Sequence, residues 1–255
     1  MSVYTNINTV IKGVVMKVFL FTLMFLMLIT TSFSNNLHTV GNPTAGVLSS
    51  GEARIHTTMI KDNGMMIGAD VGLFKNFQFG FTYGALEIVG DNTPKWKDFP
   101  DFRVRYRLLD ETTVRPAWAI GVDTHGGGAF DGNHYDYKSK GIYSVVSKNF
   151  SFMGLMGVDF GINHTFEQEE KEQPWDLFTG FYKTIGDNIT LLLDYSLGIN
   201  SRNRELDYLG FLNAAVQAQI SDQLSIRFKL HDLLMNRKDA SNIHRSLMID
   251  YRWFF

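Results

Sequence analysis

Three arginines stand at alternate positions in the stretch "RVRYR", Arg103, Arg105 and Arg107, with Val104 and Tyr106 between them. In an extended chain successive side chains point to opposite faces, so the three guanidinium groups share one side. That side carries only donors and only positive charge. Such a row can neutralise carboxylates of the same molecule or attract an anionic solute. The same parity assigns Arg54, His56, Arg115, Arg227, Lys229 and Arg252 to the polar faces of other segments, together with Asp70, Asp123, Asp159, Asp194 and Asp250. Cations outnumber anions on these faces, although the whole chain has a formal net charge of −2.

Other chemistry is less well provided for. Nucleophilic catalysis by serine needs a histidine base and an orienting acid that meet in space, and none of His38, His56, His125, His134, His164, His231 and His244 sits in a nucleophile motif. His164 is expected on the lipid side near the outer rim. With no cysteine, thiol catalysis and cysteine-ligated zinc are excluded. His125, Asp131, His134 and Asp136 lie in a glycine-rich stretch and offer nitrogen and oxygen ligands, but not at a recognisable metal spacing. They read as a solvated, mobile loop, and neither metal nor cofactor is expected. The acidic run Glu167 to Glu172, "EQEEKE", reads as a loop tip with the capacity to bind divalent cations beside lipopolysaccharide. A pI of 6.4 gives no global basic field, so nucleic acid is not an expected partner.

The elements that carry these residues are short. From Met16 the chain reads as a secretory signal peptide: one lysine, an apolar run from Val18 to Ile29, then the small-x-small site Ser32-Phe33-Ser34. The run falls short of the roughly 20 residues a spanning helix needs, and a mean hydropathy of −0.07 excludes a polytopic helical protein. The expected organisation is therefore a signal peptide over residues 1–34, with Met16 as an alternative start, an N-terminal periplasmic segment over 35–51, and one domain over 52–255. Turn signals at Lys75-Asn76, Glu111, Lys148-Asn149, Asp187-Asn188 and Asp222-Gln223 recur at intervals of about 35 to 39 residues, room for two strands, a tight turn and a longer loop.

Between the turns apolar and polar residues alternate. Phe77, Phe79, Phe81 and Tyr83 oppose Gln78, Gly80 and Thr82; Leu224, Ile226, Phe228 and Leu230 oppose Ser225, Arg227, Lys229 and His231. A soluble sandwich alternates as well. The arginine row on the polar face and the even number of strands favour instead an all-β, antiparallel up-and-down transmembrane β-barrel of about twelve strands, with lipid outside and charge within. Its last strand must pair with its first, and Trp253 and Phe255 would stand in the interfacial aromatic girdle. The ending "YRWFF" resembles the C-terminal signal of Gram-negative outer-membrane proteins, on Tyr251, Trp253 and Phe255. That resemblance implies assembly through the barrel-assembly machinery and contact with outer-membrane lipid and lipopolysaccharide.

The stretch Arg115 to Phe150 has Pro116, then Ala119, Gly121 and Asp123 on one strand, a glycine-rich loop, Tyr137 and a serine-lysine pair. It resembles the YjbH-like outer-membrane proteins associated with extracellular polysaccharide. The resemblance implies help in polysaccharide export; the residues themselves point to a lumen filled by ion pairs or to a basic wall that passes small anions such as acidic sugars. A barrel enzyme acting on lipids and a structural or adhesin-like barrel are the alternatives.

Overall fold

The computed structural model describes residues 37–132, 134–151, 153–167, 173–201, 210–237 and 243–255. The signal-peptide expectation lies outside these residues, as do residues 168–172 of the acidic run. The described residues form fifteen strands: β1 (Glu52–Ile60), β2 (Gly64–Phe74), β3 (Phe77–Leu86), β4 (Lys95–Trp96), β5 (Asp101–Leu109), β6 (Ala117–Asp123), β7 (Gly127–Asp131), β8 (His134–Tyr137), β9 (Gly141–Ser151), β10 (Leu155–His164), β11 (Trp175–Ile185), β12 (Ile189–Ser196), β13 (Phe211–Gln219), β14 (Leu224–His231) and β15 (His244–Phe254). All except β4, β7 and β8 form one antiparallel ring of twelve strands, which closes where β1 pairs with β15 from Glu52↔Phe254 to Met59↔Leu247. Closure leaves no unpaired edge for hydrocarbon to meet.

Exposure alternates as a barrel in lipid requires. On β3, Phe81 and Tyr83 are exposed while Gln78 and Thr82 are buried; on β14, Phe228 is exposed and Arg227 buried; on β15, Ile249, Tyr251 and Trp253 face out and Asp250 faces in. A soluble sandwich would hide those aromatics between its sheets. Exposed aromatics gather at both ends of the cylinder, with Phe74, Trp253 and Phe255 where the ring closes and Trp96, Phe99 and Trp175 at the other end, the two girdles of a membrane barrel.

Short connections at 75–76, 110–116, 152–154, 186–188 and 220–223 share the end where β1 begins and β15 finishes. Residues 87–100, 124–140, 165–174, 197–210 and 232–243 connect strands at the other end. Asn76 takes φ of 65° in its two-residue turn, a conformation asparagine tolerates better than most residues. The turn expected at Lys148-Asn149 forms later: β9 runs on to Ser151, and Met153 (φ 46°) and Gly154 (φ 104°) turn the chain. Glycine without a side chain meets that geometry more readily than a lysine-asparagine pair does.

Residues 37–48 run inside the barrel, and Ser49 and Ser50 are exposed where the chain enters β1. The sequence of this segment, rich in Gly, Thr, Ser and Pro without alternation, gives no strand signal, and the expectation for it is a periplasmic segment over 35–51. Instead it folds into a small hairpin within the lumen, with Thr39 N–H on the Asn42 carbonyl at 3.0 Å and Thr44 N–H on the Leu37 carbonyl at 3.2 Å. Val40, Ala45 and Leu48 have no exposed surface.

Candidate functional site: a basic chamber between a plug and a lid

The hairpin of residues 37–48 is gripped from several strands. Asp194 on β12 accepts the backbone N–H groups of Val40 (3.0 Å), Gly41 (2.7 Å) and Asn42 (3.0 Å) and the Thr39 hydroxyl (3.1 Å). Consecutive amides converging on one oxygen make a nest for an anion, here supplied by the barrel wall. Arg105 on β5 donates to the Leu37 and Gly46 carbonyls at 2.8 and 2.6 Å and to the Tyr143 hydroxyl at 2.7 Å. Arg227 on β14 donates to the Thr39 carbonyl at 2.8 Å and the His38 carbonyl at 3.3 Å. Gln78 and Ser147 accept the amides of Leu48 and Ala45. Ala45 packs on Tyr143, Val145 and Phe178, and Val40 on Tyr182, Leu192 and Ala215. Few polar atoms of the hairpin go unmatched, which is what burial inside a cylinder demands.

The loop between β6 and β9 also turns inward. The sequence predicts a solvated, mobile loop there, but β7 and β8 pair into a hairpin whose Ala129, Phe130 and Tyr135 pack on Met66 and Leu86. Tyr135 donates its hydroxyl to Asp101, and Glu167 accepts the backbone amides of Tyr135 at 2.8 Å and Ser139 at 2.6 Å. Glu167 is thus buried under the lid and not part of a solvated tip. Tyr137 stacks on His231 with ring centres 5.6 Å apart and meets Phe211 edge-on at 5.5 Å. His125 lies 3.4 Å from Asp101, whereas Asp131 and His134 are exposed. No group of three metal-ligand side chains exists among the described residues.

Between plug and lid lies a chamber of about 130 Å³. One wall is neutralised. Asp250, Arg54, Asp70, Arg103 and Asp123 form a continuous chain of ion pairs across β15, β1, β2, β5 and β6, with Arg54–Asp70 at 3.1 Å, Arg103–Asp70 at 3.0 Å and Arg103–Asp123 at 2.9 Å, and a close Arg54–Asp250 contact. Gly80 makes room for it: a Cβ there would stand 2.0 Å from Asp70 Oδ1. The adjoining wall, on β14, is not neutralised in this way. Among the described residues Arg227 meets only neutral acceptors, the Gln217 side chain and the hairpin carbonyls, and Lys229 makes neither a hydrogen bond nor an ion pair. Lys140 joins this basic surface, held 3.0 Å from the Ser196 hydroxyl; burial pushes its ammonium pKa down from the ordinary value.

The remaining sequence-derived candidates divide. Asp159 is buried and accepts the Ser147 hydroxyl. Arg107 and Arg252 are partly buried near the short-turn end, paired with Asp110 and Asp250 at 2.9 and 3.1 Å. Arg115 does not line the lumen. It lies in the 110–116 connection, exposed, donating to the Asp110 carbonyl at 3.3 Å, because β5 ends at Leu109 and strand parity lapses there. His164 sits at the outward-facing end of β10, edge-on to Trp175 at 4.8 Å. The histidine that does meet a serine is His231, whose Nε2 is 3.1 Å from Ser246 Oγ, and no carboxylate among the described residues orients the pair, so the third member of a triad is missing. Sequence reasoning missed His38, Lys140, Asn213 and Ser246 as chamber residues; Ser246 shares the parity of Asp250 and Arg252 and could have been found from it.

No family model and no curated protein matches the chain. Among solved structures it is similar to the NanC porin, at TM-score 0.44 and 10% identity over 80% of this chain and 98% of that one. It is also similar to Salmonella typhi OmpF in complex with daunomycin, at TM-score 0.29 and 9% identity over 79% and 96% of the two chains. A third is OmpT, an outer membrane protein of Vibrio cholerae lacking loop L8, at TM-score 0.33 and 9% identity over 80% and 97%. These barrels are what the chain is similar to; its own assignment as a transmembrane β-barrel stands on ring closure and the apolar exterior.

Proposed function

We propose that the protein is a non-enzymatic barrel of a bacterial outer membrane that admits small anionic solutes, acidic sugars in particular, from the loop side into its basic chamber. Onward passage is controlled by the N-terminal hairpin. The observation that carries this reading is the uncompensated pair Arg227 and Lys229 facing the chamber. Buried cations without a carboxylate are costly and attract mobile anions. The hydroxyls and amides of Ser196, Asn200, Asn213 and Ser246 and the ring of Tyr137 line the same space, groups suited to a sugar. The local resemblance of residues 115–150 to YjbH-like proteins supports an acidic polysaccharide as the source of such a solute.

Planar-bilayer recordings across a salt gradient test this. The intact chain should conduct little, and a chain lacking residues 37–48 should conduct with an anion-selective reversal potential. Replacing both Arg227 and Lys229 by Gln in that shortened chain should abolish the preference. Cation selectivity, or silence of the shortened chain once shown to be folded, would overturn the reading.

A further inference from the structure

The floor of the chamber is the plug itself: His38, Val40, Gly41 and Asn42 line it beside Arg227 and Lys229. Arg227 therefore serves two surfaces. Its Nη1 holds the His38 and Thr39 carbonyls, and its neighbour two residues along β14, Lys229, offers an ammonium that touches no acceptor among the described residues. Alternate inward residues on a strand stand roughly 6.5 to 7 Å apart, a span one carboxylate-bearing ring can bridge.

A carboxylate is a stronger partner for a guanidinium than a peptide carbonyl, because it carries a full opposite charge and can accept two parallel N–H groups at once. We propose that an acidic sugar seated between Arg227 and Lys229 draws Arg227 away from the His38 and Thr39 carbonyls and so loosens the plug, making the solute the key to its own passage. This rests on the reading of the chamber as an anion site and adds to it a coupling between occupancy and plug release. Asp194, Arg105 and Arg227 all hold the plug through its backbone groups, so withdrawal of Arg227 removes one of three charged anchors. By linkage, a change that weakens docking and leaves the sugar site intact must also tighten binding of the sugar.

The chain has no cysteine, so a single introduced thiol reports unambiguously. Ala45 has no exposed surface when the plug is docked, and Ala45→Cys is a small change. Its modification rate by a neutral thiol reagent would be measured on folded protein with galacturonate or with galactose, and galacturonate binding would be followed in parallel by calorimetry. Galacturonate at saturation should raise the rate about tenfold, the effect of a 1.4 kcal/mol shift, and galactose should not. Lys229→Gln should remove the galacturonate response. Arg227→Gln should raise the rate in buffer alone and remove the response. Galacturonate that binds without changing the rate would overturn the coupling and leave the anion site standing. Galacturonate that does not bind at all would overturn both.

Discussion

Asp194 Oδ2 and the amide nitrogen of Gly41 are 2.7 Å apart, joined across 153 residues of sequence. The same oxygen takes two further amides and a hydroxyl from the hairpin, so one carboxylate fixes the position of the plug. Its other oxygen accepts Asn213 Nδ2 at 2.6 Å, which aims it.

Asp194→Asn removes the charge from this cluster and turns one acceptor into a donor facing amide donors. A hydrogen bond to a charged group contributes about 1.5–3 kcal/mol, so the docked fraction should fall by one to two orders of magnitude relative to the released one. The check is open probability in bilayer recordings, which should rise sharply while the barrel remains folded by electrophoretic mobility.

Gly72 tests the neck of the plug. A Cβ on Gly72 would stand 2.0 Å from the Ser49 carbonyl oxygen and 2.8 Å from that of Leu48, both backbone atoms that cannot swing aside. Gly72→Ala should displace residues 48–50 and speed hydrogen exchange of the amides from 37 to 48. Gly41→Ala, whose Cβ meets nothing within 4 Å, should leave exchange as it is.

These two residues mark how far the sequence was legible. Strand parity located Asp194 and placed Arg103, Arg105 and Arg227 on the inner face, because a period-two pattern is imposed by lipid on one side and charge on the other. It could not say that Arg105 and Arg227 would bond to backbone carbonyls of residues 37–46, since a plug held through its own peptide groups needs no particular side chains. The lid escaped for a related reason. Gly126, Gly127 and Gly128 read as a flexible loop, yet they allow the close approach of Tyr135 and Asp136. Arg115 was misplaced because parity extrapolated across a turn carries no information about facing.

Asp70 is the hinge of the neutralised wall, shared between Arg54 and Arg103 with its side chain fully buried. Removing one partner of a buried ionic pair costs about 3–5 kcal/mol, and the low end of that range applies here because Arg54 keeps Asp250 and Arg103 keeps Asp123. Asp70→Ala should lower the urea midpoint of the detergent-folded barrel accordingly, followed as loss of the heat-modifiable band. Asp110→Ala, which affects only a partly exposed pair with Arg107, should move the midpoint by less than about 1 kcal/mol.

His38 makes docking sensitive to pH. Arg105 Nη2 approaches its Nε2 at 3.4 Å, and a guanidinium can only donate, so the docked ring is neutral. Burial, then the charges of Arg103, Arg105, Arg54 and Lys229, hold its pKa well below the ordinary 6.5. The released ring titrates near that ordinary value. As pH falls through about 6.5, released plug takes up a proton that docked plug refuses, and docking weakens by roughly 1.4 kcal/mol per pH unit until the docked ring itself titrates. Conductance should therefore rise from pH 7 to pH 5, and His38→Gln should flatten the rise.

Phe255 is 78% exposed, and its backbone amide donates to the Gly51 carbonyl at 3.0 Å where the ring closes. Its side chain contributes little to the finished barrel beyond the lipid it meets, so a requirement for it would have to arise before closure. If the ending is read by the assembly machinery, deleting Phe255 should cut the amount of folded protein in the outer membrane severely, while the same chain refolds in detergent with nearly unchanged yield. Equal losses in the two settings would place the role of Phe255 in the stability of the closing pair, and the assembly signal would have to be sought elsewhere in β15.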